Sequence, residues 1–174
     1  DENNKYKLSD LQLTLAETSL SGSLSVGLSG KIPNINANLQ SPSVNLVPFQ
    51  PEPPADEKVE RYFTKDPLPL EGLSSVNADI TIKITEVLTR QAILNKYDSR
   101  LKLNGGKLAI KPMSFDIASG KLSGNLTVDA SQKLAGVSVN LDGKGIQLGR
   151  LESLKEKLSG GATDIKIRLS GTGN

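Results

Sequence analysis

Apolar and polar residues alternate along most of this 174-residue chain, and this alternation constrains its fold more than any other feature. Every second residue is aliphatic in segments 11–15, 24–28, 35–39 and 80–84. A period of two residues is the signature of β-strands that carry one apolar and one polar face. The sequence therefore predicts a mainly β protein of about a dozen short strands, mostly antiparallel.

The chain also contains an internal repeat. Shifting the sequence by 102 positions places residues 5–49 on residues 107–151 without a gap, and LSGSLSV at 20–26 then lies over LSGNLTV at 122–128. A second similarity, between DITIKI at 79–84 and DIKIRL at 164–169, follows the two copies. We therefore predict a single β domain over residues 1–174, built from a repeated unit.

Turn and helix signals divide the strands. The sequence Asn-Gly-Gly at 104–106 predicts a hairpin, because these residues tolerate positive φ. Segment 88–97 is ambiguous, and we predict strand because Ile93, Asn95 and Tyr97 continue the alternation. Two further segments, 56–63 and 151–158, predict short amphipathic helices. The first helix, with the proline-rich loop before it, forms a 50–67 insertion between two groups of strands.

Composition excludes several classes of function. The chain has no Cys and no His, which removes zinc sites of the Cys/His type, cysteine nucleophiles and Ser-His-Asp triads. Its 21 basic and 19 acidic residues are interspersed, and only three Tyr and three Phe are available to stack on bases, so we expect no nucleic-acid partner. The carboxylates lie mostly at strand starts or beside turn glycines, and we therefore expect no enzyme, metal site or cofactor.

A sheet with one apolar face must hide that face by forming a sandwich, closing into a barrel, or curling around an apolar ligand. The scarcity of aromatic residues favours a curved, aliphatic groove, although the same alternation also fits an ordinary packed core. An open groove and a partly closed barrel therefore both remain possible. The candidate groove-lining residues are Leu13, Leu15, Leu24, Val26, Leu28, Ile80, Ile82, Ile84, Leu101, Leu103, Phe115, Ile117, Leu126, Val128, Val137, Val139, Leu141, Ile165, Ile167 and Leu169.

Several short motifs resemble the C-terminal region of the AsmA family of bacterial envelope proteins, which is related to TamB-type proteins. They are LPLEGL at 68–73, NADI at 77–80, NGGKL at 104–108, FD at 115–116, GKLSG at 120–124, LSGG at 158–161 and LSG at 169–171. The resemblance is clearest over residues 66–173. It implies a periplasmic protein held in the inner membrane by an anchor that this sequence lacks.

The resemblance further implies a hydrophobic β-groove that binds phospholipid acyl chains for passive lipid transport between the inner and outer membranes, a part of outer-membrane biogenesis. The alternative is a structural or protein-interaction scaffold in outer-membrane protein assembly, with no lipid bound. In that case the repeat buries its own apolar face, and exposed strand edges or the proline-rich loop contact a partner.

Overall fold

A computed structural model describes residues 4–15, 18–50, 70–132, 134–151, 154 and 160–173. These residues form one sheet, whose strands are β1 (Lys5–Leu15), β2 (Thr18–Gly27), β3 (Asn34–Asn45), β4 (Asn77–Leu88), β5 (Ile93–Asn104), β6 (Lys107–Ile117), β7 (Gly120–Asp129), β8 (Ala135–Ile146) and β9 (Thr163–Gly173). The described residues contain no α-helix. They contain three short 3₁₀ helices, Val47–Phe49, Glu71–Ser74 and Leu148–Arg150.

The sheet is open, and its nine strands lie side by side in the order of the sequence. The predicted mainly β fold is confirmed, with nine strands of 10 to 12 residues in place of about a dozen shorter ones. All neighbouring strands are antiparallel except β3 and β4, which are parallel. A parallel pair needs a crossover of a dozen residues or more, and the long segment between Asn45 and Asn77 supplies it.

The predicted hairpin is present. β5 and β6 pair from Leu94 to Asn104, and the turn consists of Gly105 and Gly106, which have φ angles of 55° and 79°. Positive φ at both turn positions matches the twist of the flanking strands. Segment 88–97 is strand from Ile93 onward, while residues 89–92 form the turn between β4 and β5. The predicted helix 56–63 lies outside the described residues, as does 151–158 apart from Leu151 and Leu154, which are in turns.

The offset of 102 residues is also visible in the strands. β1 and β2, moved by 102 positions, coincide with β6 and β7, and β3 coincides with β8 to within one residue. The pairing of β1 shifts register between Leu8 and Leu11, and that of β6 shifts between Ile110 and Met113, again 102 positions later. The similarity ends at the fourth strand, because β4 runs parallel to β3 whereas β9 runs antiparallel to β8.

The turns form two rims, which we name after one residue each. The Arg90 rim consists of segments 46–50, 89–92, 118–119 and 147–151, and the Gly105 rim consists of segments 28–33, 70–76, 105–106 and 130–132 with residue 134. The 3₁₀ helix Glu71–Ser74 contacts β5 and β6 near the Gly105 rim. Between β1 and β9, eight interstrand spacings of about 4.8 Å make the sheet roughly 38 Å long in the stacking direction.

Candidate apolar binding face

One face of the sheet carries aliphatic side chains without a break from edge to edge. Strand pairing brings these residues into cross-strand rows, because directly paired residues project from the same face. The central row crosses all nine strands and consists of Leu8, Leu24, Ala37, Ile80, Leu101, Ile110, Leu126, Val139 and Leu169. We call this side of the sheet the apolar face.

Further rows flank the central one. The row toward the Gly105 rim consists of Tyr6, Val26, Ile35, Ala78, Leu103, Leu108, Val128 and Val137. The row toward the Arg90 rim consists of Leu11, Gly22, Leu39, Ile82, Ser99, Met113, Gly124, Leu141 and Ile167. Beyond it, Tyr97 lies opposite Ile84, and its ring stacks on Phe115 with the centroids 6.2 Å apart.

The structure brings most of the predicted lining residues together on this face. The residues found in these rows or directly beside them are Leu13, Leu24, Val26, Ile80, Ile82, Ile84, Leu101, Leu103, Phe115, Ile117, Leu126, Val128, Val137, Val139, Leu141, Ile165, Ile167 and Leu169. Leu28 lies past the end of β2, where its N–H donates to the Asn4 carbonyl oxygen, so it is not part of a row. Leu15 ends β1 opposite Thr18.

Several members of the face were not among the predicted lining residues. They are Tyr6, Leu8, Leu11, Leu20, Ile35, Ala37, Leu39, Ala78, Tyr97, Leu108, Ile110, Met113 and Leu122. The alternation of apolar and polar residues in segment 35–39 was enough to predict three of them, Ile35, Ala37 and Leu39. The bulges after Leu8 and Ile110 explain others, because an extra residue moves the following side chains to the opposite parity.

Among the described 3₁₀ helices, Glu71–Ser74 makes the main contacts with the strands, on β5 and β6 near the Gly105 rim, where Leu103 is buried. Among the described residues only Ala37, Val87, Leu103 and Ile146 are buried apolar side chains, far too few for a closed core. At the two edges Leu8 is 54% exposed and Leu169 is 58% exposed. Most side chains between the edges are half-buried. The described face is therefore open.

The opposite face is polar and carries ion pairs between neighbouring strands. Arg100 donates to both oxygens of Asp79, from Nε at 2.7 Å and from Nη2 at 2.6 Å. Arg168 donates to both oxygens of Asp142 from Nη2 alone, at 3.1 and 2.8 Å. The hydrogen bond from Arg100 is the largest cause of the lowered pKa of Asp79. These pairs lie on the solvated side, so the sheet is amphipathic across its thickness.

The carboxylates of the polar face have ordinary structural partners. Asp129 accepts hydrogen bonds from Ser131, and with the help of Lys107 these lower its pKa to about 2. Asp164 accepts from the Gly145 N–H and from Lys144, which also lowers its pKa. Within the described part of the chain, no three His, Cys, Asp or Glu side chains are grouped closely enough to hold a metal ion.

The open amphipathic sheet defines the class of the protein, a β-sheet protein with an unpartnered aliphatic face, and sequence comparison identifies the family. The family model of the AsmA family matches residues 1–174, so the chain belongs to the AsmA family, as the motifs predicted. This membership is consistent with a role in the bacterial envelope or in lipid handling. No curated protein and no solved structure matched the chain. In the described residues, no helix is both long and apolar enough to cross a membrane.

Proposed function

We propose that the apolar face binds the acyl chains of phospholipids and lets them pass along the sheet, as part of a periplasmic protein anchored in the inner membrane that serves lipid transport to the outer membrane. The observation that supports this most directly is the central row from Leu8 to Leu169, which crosses every strand without a charged residue. Transport between two membranes belongs to the whole protein, because the described sheet is only roughly 38 Å long.

The energetics favour a passive mechanism. Each methylene removed from water contributes about 0.8 kcal/mol, so ten methylenes that lose half of their exposure on an open face gain about 4 kcal/mol. The rows offer chemically similar side chains from one edge to the other. No position therefore binds an acyl chain much more tightly than the next. Head groups remain in water at a rim, and we expect no catalytic step.

The absence of cysteine from the chain allows a direct test. Leu126 lies in the central row of the apolar face, and its neighbour Thr127 pairs with Ser138 on the polar face. The variants Leu126→Cys and Thr127→Cys, each labelled with bimane, are loaded with phospholipid that carries a nitroxide on the acyl chain. We expect strong quenching at position 126 and little at position 127, and equal quenching at the two positions contradicts the proposal.

A substitution at the same two positions tests retention of natural lipid. Leu126→Asp places a charge among the aliphatic rows, whereas Thr127→Asp adds the same charge to the solvated face. Native mass spectrometry of chains purified from membrane-containing lysate should show phospholipid on the wild type and on Thr127→Asp, with the Leu126→Asp chain depleted. Far-UV circular dichroism separates this result from unfolding, and a folded Leu126→Asp chain that retains lipid fully would count against the face as the binding surface.

The scaffold alternative is favoured by one observation. The outer edges of β1 and β9 have no partner strand within the described sheet, and unpaired edges are sites for strand addition by another protein. A wild-type chain that carries no lipid and shows no quenching at position 126 would favour this function over lipid binding.

A further inference from the structure

The Arg90 rim contains a concavity of about 880 Å³ on which basic side chains converge. It lies among the turn between β4 and β5, the turn between β6 and β7, and the segment after β8. Five of its lining residues are basic, Arg90, Lys96, Lys121, Lys144 and Arg150, and one, Asp116, is acidic. The excess of four positive charges is notable because the whole chain has a net charge of only +2.

The concavity near the opposite rim shows no such excess. The concavity near the Gly105 rim is lined mainly by asparagine and small or apolar residues, and its charged residues are one acid, Asp79, and one base, Lys102. These two form an ion pair, with Lys102 Nζ 3.7 Å from Asp79. Of these two concavities, only the one at the Arg90 rim has an excess of positive charge.

Only part of the positive charge at the Arg90 rim is neutralised. Lys96 Nζ lies 3.0 Å from Asp116, and Lys144 Nζ lies 3.1 Å from Asp164. Lys121 and Arg150 have no carboxylate partner among the residues that the structure describes. Arg90 likewise has no carboxylate partner there, but its Nη2 donates to the Val47 and Gln50 carbonyl oxygens. Among the described residues, Lys121 and Arg150 are therefore the two bases left for an external anion.

The strand register places two of these bases side by side. Lys121 of β7 lies directly opposite Lys144 of β8 and, on its other side, directly opposite Asp116 of β6. This row therefore contains two bases and one acid, which leaves one positive charge for an external anion. Guanidinium and ammonium groups are the usual protein partners of phosphate, and Arg150 at the same concavity can supply a two-pronged contact.

Exposed apolar side chains stand at the same rim. Phe49 is 76% exposed and Ile93 is 49% exposed. Arg90 fixes the Phe49 segment beside the concavity, since its backbone N–H donates to Gln50 Oε1 at 2.8 Å and its Nη2 donates to the Gln50 carbonyl oxygen at 3.2 Å. Aromatic and basic side chains together are typical of surfaces that meet lipid head groups.

We propose that this concavity is a binding site for the phosphate group, the chemistry that phospholipid head groups and free phosphate share. The assignment of this site to lipid head groups rests on the proposed acyl-chain function and extends it. Binding of free phosphate does not depend on that function. In the lipid case, Lys121, which projects from the polar face, and Arg150 hold the phosphate at the rim, and the tails pass over the rim onto the apolar face.

The test uses a double variant and a charge-matched control of the full chain. Lys121→Gln with Arg150→Gln removes the two bases of the site whose side chains have no hydrogen-bond or ion-pair partner among the described residues. Lys5→Gln with Lys31→Gln removes two exposed charges toward the other rim. Each chain is titrated with inorganic phosphate in amide-resolved NMR, with chloride at equal ionic strength as reference. Each chain is also sedimented with vesicles of phosphatidylglycerol or of phosphatidylcholine.

We expect phosphate to shift the amides of residues 119–121 in the wild type and in the control, and not in the site variant. Each basic residue near an anionic surface contributes a factor of about five, so binding to phosphatidylglycerol vesicles should weaken on the order of 20-fold in the site variant and remain within about threefold in the control. Shifts with free phosphate but no vesicle binding would support the site and remove its assignment to lipid.

Phosphate shifts that are spread evenly over the surface, or that persist in the site variant, would overturn the site, and equal vesicle binding by the two double variants would remove its assignment to lipid. The acyl-chain proposal is judged separately by quenching at position 126. Quenching that persists in the site variant leaves the apolar face supported whether or not the rim binds phosphate. Phosphate-induced chemical-shift changes at the rim without quenching at position 126 would support the anion site and contradict lipid binding.

Discussion

Gly124 on β7 and Asn140 on β8 approach so closely that the Cβ atom which Gly124 lacks would collide with the Asn140 carbonyl oxygen. The same relationship joins Gly22 to Asn38, 102 positions earlier. In both copies of the repeat, glycine therefore lets two backbones meet at a point where a side chain would force them apart.

This contact predicts a large difference between two glycine substitutions. Gly124→Ala should lower the free energy of unfolding by about 1–3 kcal/mol, as expected for overpacking against backbone. Gly136→Ala in β8 is the control, because no atom lies within 4 Å of its added Cβ, and it should change stability by less than about 1 kcal/mol. Urea denaturation measures both, and similar losses for the two variants would refute the contact.

The ion pair between Arg100 and Asp79 should contribute modestly to stability and depend on salt. The pair is two-pronged, but Arg100 is about half exposed, so solvent screens it. Arg100→Met should lower the urea midpoint by less than Gly124→Ala does, and the loss should shrink at 1 M NaCl. A loss that is independent of salt would indicate that the aliphatic part of the side chain, and not its charge, stabilises the strands.

Asp129 gives a prediction about pH. Its pKa is lowered from 3.8 to about 2, mainly by the hydrogen bond from the Ser131 hydroxyl. A carboxylate whose pKa is lower in the folded state stabilises the fold fully above its unfolded value, and this contribution is lost as the pH falls from about 4 to about 2. Carboxyl-carbon NMR should give a pKa near 2 in the wild type and a higher one in Ser131→Ala. An Asp129 that titrates near 3.8 would contradict the hydrogen bonds.

Removal of lipid should destabilise the chain if the apolar face is occupied. A ligand that binds only the folded state at 100 times its dissociation constant adds about 2.7 kcal/mol, and for a chain of this size each kcal/mol moves Tm by about 2–4 °C. Delipidated protein should therefore unfold about 5–10 °C below loaded protein in calorimetry. The Leu126→Asp variant should show no such difference, and an equal shift in that variant would place the lipid elsewhere.

The sequence predicted the parts of the fold that depend on local chemistry. The hairpin at Gly105 and Gly106 follows from residues that tolerate positive φ, and the two faces follow from the period of two. The parallel pairing of β3 and β4 could not be predicted in this way, because a long connection permits the next strand to run in either direction.

The basic concavity at the Arg90 rim could not be predicted from the sequence either. Lys121 and Lys144 are 23 positions apart, and only the register of β7 on β8 places them opposite each other. Arg90 and Arg150 reach the same concavity from turns whose positions depend on the order of the strands. Composition shows a nearly neutral chain, because it sums the charges of all residues and not those of one concavity.

The single parallel step between β3 and β4 has a consequence for the outermost strands. In a nine-stranded sheet with antiparallel neighbours throughout, the first and last strands would point the same way. Here β1 and β9 point in opposite directions. Units of this geometry, laid end to end, would meet through antiparallel joints, which are slightly more stable per residue than parallel ones. The single parallel pair, β3 and β4, thus suits this sheet to extension by antiparallel pairing of β9 of one unit with β1 of the next.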